Sequence, residues 1–260
     1  MKIFIPRFRR LRRFSLRPPR LCGLFLKEAT QLNPNNPTIS HMETQTEQWQ
    51  EIGDDKALFL RCYQMMTSNV LVAVDHHEFN DPIWVSTLLD LFADYYFVAL
   101  RAYEDNPSSA PTVWQVAHNA ARDPQISAMQ KLLLGVNAHI NYDLVLTLVD
   151  MLEAEWDGHT EEVRNGRYAD HCHINEIIGN TIDAVQDDVL EPAMPIMDVI
   201  DKLLGPLDER IIVHLISQWR EKVWQNATCL LEMDNPQEKS HFINQIEQDA
   251  LQTGSLICNK

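Results

Sequence analysis

Four polar side chains occupy alternate positions of one short, otherwise apolar stretch of the chain. They are Asn137, His139, Asn141 and Asp143, in the segment LLLGVNAHINYDLVLTLVD at residues 132–150. At about 100° per residue of an α-helix, the two asparagines share one side and His139 and Asp143 share roughly the opposite side. Apolar residues lie on every side of this helix, which is typical of a central, buried helix. Both polar pairs should therefore meet polar groups of neighbouring helices, because unpaired buried polar groups are costly.

The His139 and Asp143 pair has the types and spacing that chemistry requires. An imidazole and a carboxylate at i, i+4 can bind one metal ion, exchange protons with a substrate, or form a purely structural hydrogen bond. We predict His139, Asp143 and Arg220 as catalytic residues, and His139, Asp143 and Asp94 as ligands of a divalent metal ion. One feature weighs against a metal-dependent enzyme, since the repeated Glu-x-x-His typical of di-iron bundles is missing from the sequence.

Arg220 falls in the middle of the apolar stripe of a long helix predicted over 208–233. That stripe consists of Val213, Ile216, Val223, Trp224, Ala227 and Leu231. A buried arginine needs a partner because its charge cannot be titrated away, so we predict a carboxylate, either Asp143 or Asp94. Two alternatives remain open: Arg220 reaches solvent at the helix edge, or Asp94 belongs to a narrow solvent-exposed face.

The helix predicted from about Thr160 to Leu190 carries a conspicuous line of potential ligands. The line comprises Asp170, His173, Glu176, Asn180, Asp183, Asp187 and Glu191. Isoleucines and valines lie opposite, so the line is most simply the solvent-exposed face of an amphipathic helix. His171 and Asn175 lie towards the apolar side instead, and we predict them as ligand-binding residues together with Asn137 and Asn141.

Composition limits the fold and the class of partner. Glycines number only 8 in 260 residues, and apolar residues recur at helical spacing. We therefore predict an all-α domain over residues 42–260, a single antiparallel bundle of six to eight helices. The net charge of −15 argues against nucleic-acid binding by this domain. The five cysteines are widely spaced, which favours a reducing, cytoplasmic location, and no uninterrupted apolar run suggests a transmembrane segment.

Residues 1–41 differ in character from the rest of the chain. They contain nine of the 22 lysines and arginines and only one acidic residue. We predict an untranslated or disordered basic extension, with Met42 as the true start. The alternatives are a targeting peptide or a basic arm that contacts a membrane surface.

Four motifs in order resemble a mostly bacterial family, domain of unknown function 5995. They are F-N-D-P-x-W, F-A-D-Y-Y, L-L-G-V-N-A-H-I-N-Y-D-L and the late D-E-R…R-E-K-V-W, and they cover roughly residues 50–235. The N-A-H-I-N-x-D-L run is the most specific of them. The resemblance implies that the family's hallmark residues correspond to Asp94, Asn137, His139, Asn141, Asp143, Asn175 and Arg220. It implies no reaction.

Three classes of function stay open from the sequence. The first is a metal-dependent enzyme built on His139 and Asp143. The second is a metal-free acid/base enzyme or small-molecule binding protein, with a pocket at the bundle centre and His139 oriented by Asp143. The third is a scaffold whose buried polar network only fixes the register of the helices.

Overall fold

The computed structural model describes residues 36–187 and 209–258, and within these ranges the chain forms eight α-helices and no strand. The helices are α1 (Pro37–Ile52), α2 (Lys56–Asp75), α3 (Pro82–Asp105), α4 (Thr112–Ala121), α5 (Ala128–Leu152), α6 (Glu161–Asp187), α7 (Glu209–Leu231) and α8 (Pro236–Cys258). Two single 3₁₀ turns precede α4 and α6 at Pro107–Ser109 and Trp156–Gly158. The predicted all-α bundle is confirmed.

Helix ends follow local sequence signals. Gly53, in the segment IGDD at residues 52–55, ends α1 with a left-handed φ of 71° that most side chains avoid. Asp81 caps α3 by accepting a hydrogen bond from the backbone N–H of Trp84 at 3.0 Å, and Pro82 occupies the first helical position.

The N-terminal boundary lies earlier than predicted. Asn36 caps α1, so residues 37–41, which the sequence prediction assigned to the basic extension, belong to the first helix. Within that helix the side chains of Met42 and Thr46 are fully buried. The remainder of the extension lies outside the described residues. Two further predictions fall outside the described residues: a short helix over 195–205 and the solvent exposure of Glu191.

Helix α5 is the central element of the bundle, as predicted. It packs against α2, α3, α4, α7 and α8, and its apolar residues are all buried or half-buried. Its geometry differs from the regular helix assumed above, because His139–Asp143 form a π-helical turn between the α-helical segments Ala128–Ala138 and Leu144–Leu152. Such π turns are rare and often occur at functional sites. The candidate residues therefore lie on a widened turn.

Helix α6 corrects one reading of the sequence. Asp170, predicted to face solvent, is buried and accepts hydrogen bonds from the backbone N–H and side-chain amide of Asn80 and from the backbone N–H of Asp81, at 2.8 to 2.9 Å. Glu176 and Asn180 are exposed as expected. Asp170 thus fixes the start of α3 against α6, which positions both walls of the site described below.

Three helices contradict the expectation of no transmembrane segment. By length and composition, α2, α3 and α5 are each apolar enough to cross a membrane. The expectation was wrong because it required an uninterrupted apolar run, whereas these helices mix apolar residues with uncharged polar ones and carry few charges. Between 44% and 61% of the residues in these segments are buried within the bundle, so much of this apolar surface packs against other helices.

Gly135 allows α2 and α5 to approach closely. A Cβ at this position would lie 2.7 to 2.9 Å from three side-chain atoms of Phe59, including its Cβ. Because that atom is attached directly to the backbone, the ring cannot simply swing away. The absence of a side chain at Gly135 therefore sets the spacing of the two helices beneath the site.

We expect Gly135→Ala to lower the free energy of unfolding by about 1–3 kcal/mol, as overpacking of a filled interior does. Chemical denaturation of the purified chain measures this. Gly166→Ala is the matched control. Gly166 lies within α6, and a Cβ at this position would have no atom within 4 Å. That control should be neutral or stabilising by about 0.5–1 kcal/mol. Equal effects of the two substitutions would contradict the close-contact explanation.

Candidate functional site

His139 and Asp143 form a buried hydrogen-bonded pair on the π turn. Both are almost inaccessible, and His139 Nδ1 lies 3.0 Å from Asp143 Oδ2. The indole N–H of Trp114, on α4, donates to the same carboxyl group at 2.9 Å to Oδ2 and 3.1 Å to Oδ1. Asp143 is therefore held from two sides, and it orients the imidazole.

The imidazole of His139 is also fixed by aromatic rings. It stacks on Phe92 with 3.5 Å between ring centroids and 7° between planes. Tyr63 and Phe59 contact it edge-on, with centroids 4.3 and 5.7 Å away. Its second nitrogen, Nε2, is buried and has no hydrogen-bond partner among the described residues. Such an unpaired buried atom requires an explanation.

The protonation of this pair follows from its burial. Desolvation raises the pKa of Asp143 well above its ordinary value, although the Trp114 N–H opposes this, and desolvation lowers the pKa of His139 well below its ordinary value. Both shifts favour uncharged groups. In the uncharged pair, the carboxylic acid donates to Nδ1, so the imidazole carries its proton on Nε2. His139 then presents a hydrogen-bond donor at its unpaired nitrogen.

His139 lines a cavity of about 160 Å³ between α2, α3, α5, α6 and α7. Its walls are apolar, with leucine, isoleucine, valine, methionine and phenylalanine side chains. The polar lining residues are Cys62, Tyr63, Thr67, His139 and Arg220. Like His139 Nε2, the hydroxyl of Tyr63 is buried and makes no hydrogen bond of normal geometry among the described residues, although the Thr67 side chain lies close enough to oppose the rise that burial causes in its pKa.

One end of the cavity is closer to solvent than the other. The lining residues Cys62 and Met66 on α2, and Met129, Leu132 and Val136 on α5, are only half-buried. Among the described residues, the cavity is therefore least enclosed where α2 and α5 meet. Burial raises the pKa of the Cys62 thiol to about 12, which makes it a poor nucleophile.

Arg220 lines the same cavity and is buried, but its partners are not those predicted. Its Nε donates to Asn175 Oδ1 at 2.6 Å, and its Nη2 donates to the His171 carbonyl at 2.9 Å. His171 returns a bond from Nε2 to the carbonyl of Arg220 at 3.0 Å. Among residues 36–187 and 209–258, no carboxylate pairs with Arg220. The prediction of Asp143 or Asp94 as its partner is therefore wrong.

The positions of the two carboxylates explain that error. Asp143 is already engaged by His139 and Trp114. Asp94 is exposed on the outer face of α3, the alternative left open above. The structure does not bring Asp94 to His139 and Asp143, and no group of three or more His, Cys, Asp or Glu side chains able to hold a metal exists in the described part of the chain. The predicted three-residue metal centre is not assembled.

The two asparagines of the motif lie on the other side of α5. Asn137 donates to the backbone carbonyl of Ala250 at 2.9 Å, so its partner is a polar group of a neighbouring helix, α8, as predicted. Asn141 donates to Asn137 Oδ1 at 2.8 Å. Asn141 also borders a separate, more polar cavity of about 140 Å³ between α5, α7 and α8. None of the four predicted ligand-binding residues, which include His171 and Asn175, lines the apolar cavity.

Sequence reasoning missed Trp114, Tyr63 and Phe92. No spacing rule links Trp114 to Asp143, because they belong to different helices 29 positions apart. Phe92 is the first residue of the F-A-D-Y-Y motif, in which only Asp94 was predicted as a site residue. Tyr63 lay in an apolar helix pattern and gave no separate signal.

We expect Trp114→Phe to lower the free energy of unfolding by about 1–3 kcal/mol, because it leaves a buried acceptor of Asp143 unsatisfied. Trp84→Phe is the matched control, since Trp84 is also buried but its indole N–H has no hydrogen-bond partner among the described residues. The difference between the two variants in urea unfolding isolates the hydrogen bond. Equal losses would show that Trp114 acts only by its volume.

The buried histidines make stability depend on pH. Burial lowers the pKa of His118, which stacks on Trp114, to about 3, and lowers the pKa of His139 and His171 well below the ordinary range. Below about pH 6.5 the unfolded chain binds these protons and the folded chain does not. Each histidine should therefore lower the free energy of unfolding by about 1.4 kcal/mol per pH unit as pH falls from about 6.5 towards 3, while the raised pKa of Asp143 opposes part of this decrease.

His118→Gln should reduce that slope near pH 5 by about 1.4 kcal/mol per pH unit. Urea unfolding of the variant and the unchanged chain across this range gives the slope directly. Near pH 8 both proteins serve as their own control, because neither the folded nor the unfolded state then takes up a proton at this position. An unchanged slope near pH 5 would mean that His118 is protonated in the folded state.

The comparisons with known proteins identify the family. The model of the family described as a family of unknown function (DUF5995) matches residues 36–260. No curated protein and no solved structure matches the chain. The matched region begins at the residue that caps α1 and includes the whole of the site. The chain therefore belongs to the DUF5995 family, as its motifs suggested.

Proposed function

We propose that this chain is a binding protein for a small, largely apolar molecule, which occupies the cavity between α2, α3, α5, α6 and α7. His139 and Tyr63 form hydrogen bonds with the polar end of that molecule. The observation that carries the proposal is His139 Nε2, a buried atom without a partner among the described residues, on a ring that lines an apolar cavity.

The cavity itself supports a ligand rather than a solid core. Protein interiors are close-packed and contain few voids larger than a water molecule. An apolar cavity of about 150 Å³ in another protein is large enough to bind benzene. The 160 Å³ cavity here has a similar capacity, and an apolar molecule entering it gains about 25 cal/mol for each Å² of apolar surface removed from water.

The unpaired polar groups distinguish binding from a structural role. A network that only fixed helix register should satisfy every polar atom within the protein. Asp143 and Trp114 are hydrogen-bonded to each other. His139 Nε2 and the Tyr63 hydroxyl, by contrast, have no hydrogen bond among the described residues. An apolar cavity with a few polar groups is the usual form of a small-molecule site. A ligand with a hydrogen-bond acceptor satisfies the donors that the fold leaves unpaired.

Octanol is a suitable first probe because it combines an apolar chain with one uncharged polar group. Isothermal titration calorimetry with the full chain should show saturable binding, and the melting temperature should rise with octanol concentration. Val136→Phe, which places a ring in the cavity, should abolish binding. Val98→Phe is its control, at an exposed position on α3. The absence of octanol binding to the unchanged chain would refute the proposal.

Tyr63→Phe should weaken octanol binding roughly two- to tenfold, which is the value of one net hydrogen bond. It should not lower the melting temperature, because the hydroxyl has no partner among the described residues. Tyr96→Phe is a matched control: its hydroxyl is also buried and unpartnered there, but Tyr96 does not line this cavity. Equal effects of both substitutions on affinity would argue against hydrogen bonding by Tyr63.

A further inference from the structure

The charge of Arg220 narrows the chemistry of the ligand. Among the described residues that line the cavity, Arg220 is the only formally charged one, and it is 3% exposed. Burial of an unpaired charge costs several kcal/mol, and natural proteins normally pair such a charge or bind it to an ion. The surroundings of Arg220 therefore show whether the fold supplies a counter-charge.

The groups that contact Arg220 are dipoles rather than charges. They are the amide oxygen of Asn175, the carbonyl oxygen of His171 and, at 3.4 Å, His171 Nδ1. His171 itself is uncharged, because burial first and the charge of Arg220 second lower its pKa well below the ordinary range. The Cys172 thiol lies near enough to favour the charge of Arg220 electrostatically, but it forms no hydrogen bond with the guanidinium. The contacts with Asn175 and His171 orient the guanidinium but do not neutralise it.

Two acidic residues of the described chain, the neighbour of Arg220 along α7 and the partner of His139, are engaged elsewhere. Glu221, the next residue along α7, accepts hydrogen bonds from the Tyr168 hydroxyl at 2.6 Å and from the Gln225 amide at 2.8 Å. Asp143, beside the cavity, is held in its uncharged form by burial together with His139, as the direction of its raised pKa indicates. Neither acid balances Arg220.

The remaining hydrogen-bond donors on the cavity wall also favour a ligand that accepts hydrogen bonds. The hydrogen bonds of Arg220 use Nε and Nη2, so Nη1 has no partner among the described residues. His139 presents an Nε2–H in its uncharged pair with Asp143, and Tyr63 has an unpartnered hydroxyl. All three groups donate. A ligand that only accepts hydrogen bonds and carries one negative charge satisfies each of them.

We propose that the ligand is a small monocarboxylic acid with an apolar body, bound as its anion with Arg220 as the counter-charge. This inference rests on the proposed function, since it names the chemical class that the same cavity takes. A single carboxylate matches the single charge of Arg220, and charge-assisted hydrogen bonds are stronger than neutral ones. The apolar walls accept the hydrocarbon part, and the half-buried end between α2 and α5 admits it.

The test compares three probes of equal chain length with the full chain at neutral pH: octanoate, octanol and octylamine. Calorimetry should show octanoate binding roughly tenfold to a hundredfold more tightly than octanol, the range for one charge-assisted hydrogen bond. Octylamine should bind more weakly than octanol, because its positive charge meets that of Arg220. This comparison needs no variant and so does not depend on how a substitution folds.

Two variants assign the preference to Arg220. Arg220→Met should remove the preference for octanoate and retain octanol binding, whereas Arg220→Lys should keep most of the preference because it keeps the charge. If octanol binds as tightly as octanoate to the unchanged chain, or if Arg220→Met retains the preference, this inference is overturned and the proposed function stands. If octanol does not bind to the unchanged chain, the proposed function is refuted, and this inference, which rests on it, fails with it.

Discussion

The hydrogen bond between His139 and Asp143 is the constraint on which the site depends. Both groups are on the central helix, away from water, and neither can be charged cheaply there. Pairing them satisfies His139 Nδ1 and gives Asp143 a partner in addition to Trp114. The cost of burying a polar pair is thereby reduced, and the second nitrogen of the imidazole is left facing a cavity whose walls are otherwise mostly apolar.

Helix α5 separates two kinds of polar interaction. On one side, Asn137 and Asn141 bond to each other and to α8, which is the behaviour expected of groups that fix helix packing. On the other side, the His139 nitrogen and the Arg220 guanidinium are only partly satisfied by the described residues. Asn137 and Asn141 therefore contribute to helix packing, whereas His139 faces the cavity that we propose to bind a ligand. The sequence alone does not distinguish the roles of the two pairs.

The fold was largely predictable from the sequence, and the site only partly. Helical spacing and signals such as Gly53 and the Asp81 cap fixed the class and most helix ends, because these depend on near neighbours in the chain. The burial of Arg220 was also predictable, because it follows from the position of Arg220 in the apolar stripe of its own helix. Its partner was not, since the choice between Asn175 on α6 and Asp143 on α5 depends on how three helices pack, and the π turn has no known sequence signal.

The uncharged state of Asp143 also bears on the choice between binding and catalysis. A general base at His139 requires a free lone pair on Nε2, and that tautomer needs an ionised Asp143 to accept from Nδ1. Burial opposes this ionisation and outweighs the Trp114 N–H, which favours it. In the proposed complex, the negative charge of the bound anion opposes the ionisation of Asp143 further. The geometry of the pair therefore favours the proposed binding role over proton abstraction by His139.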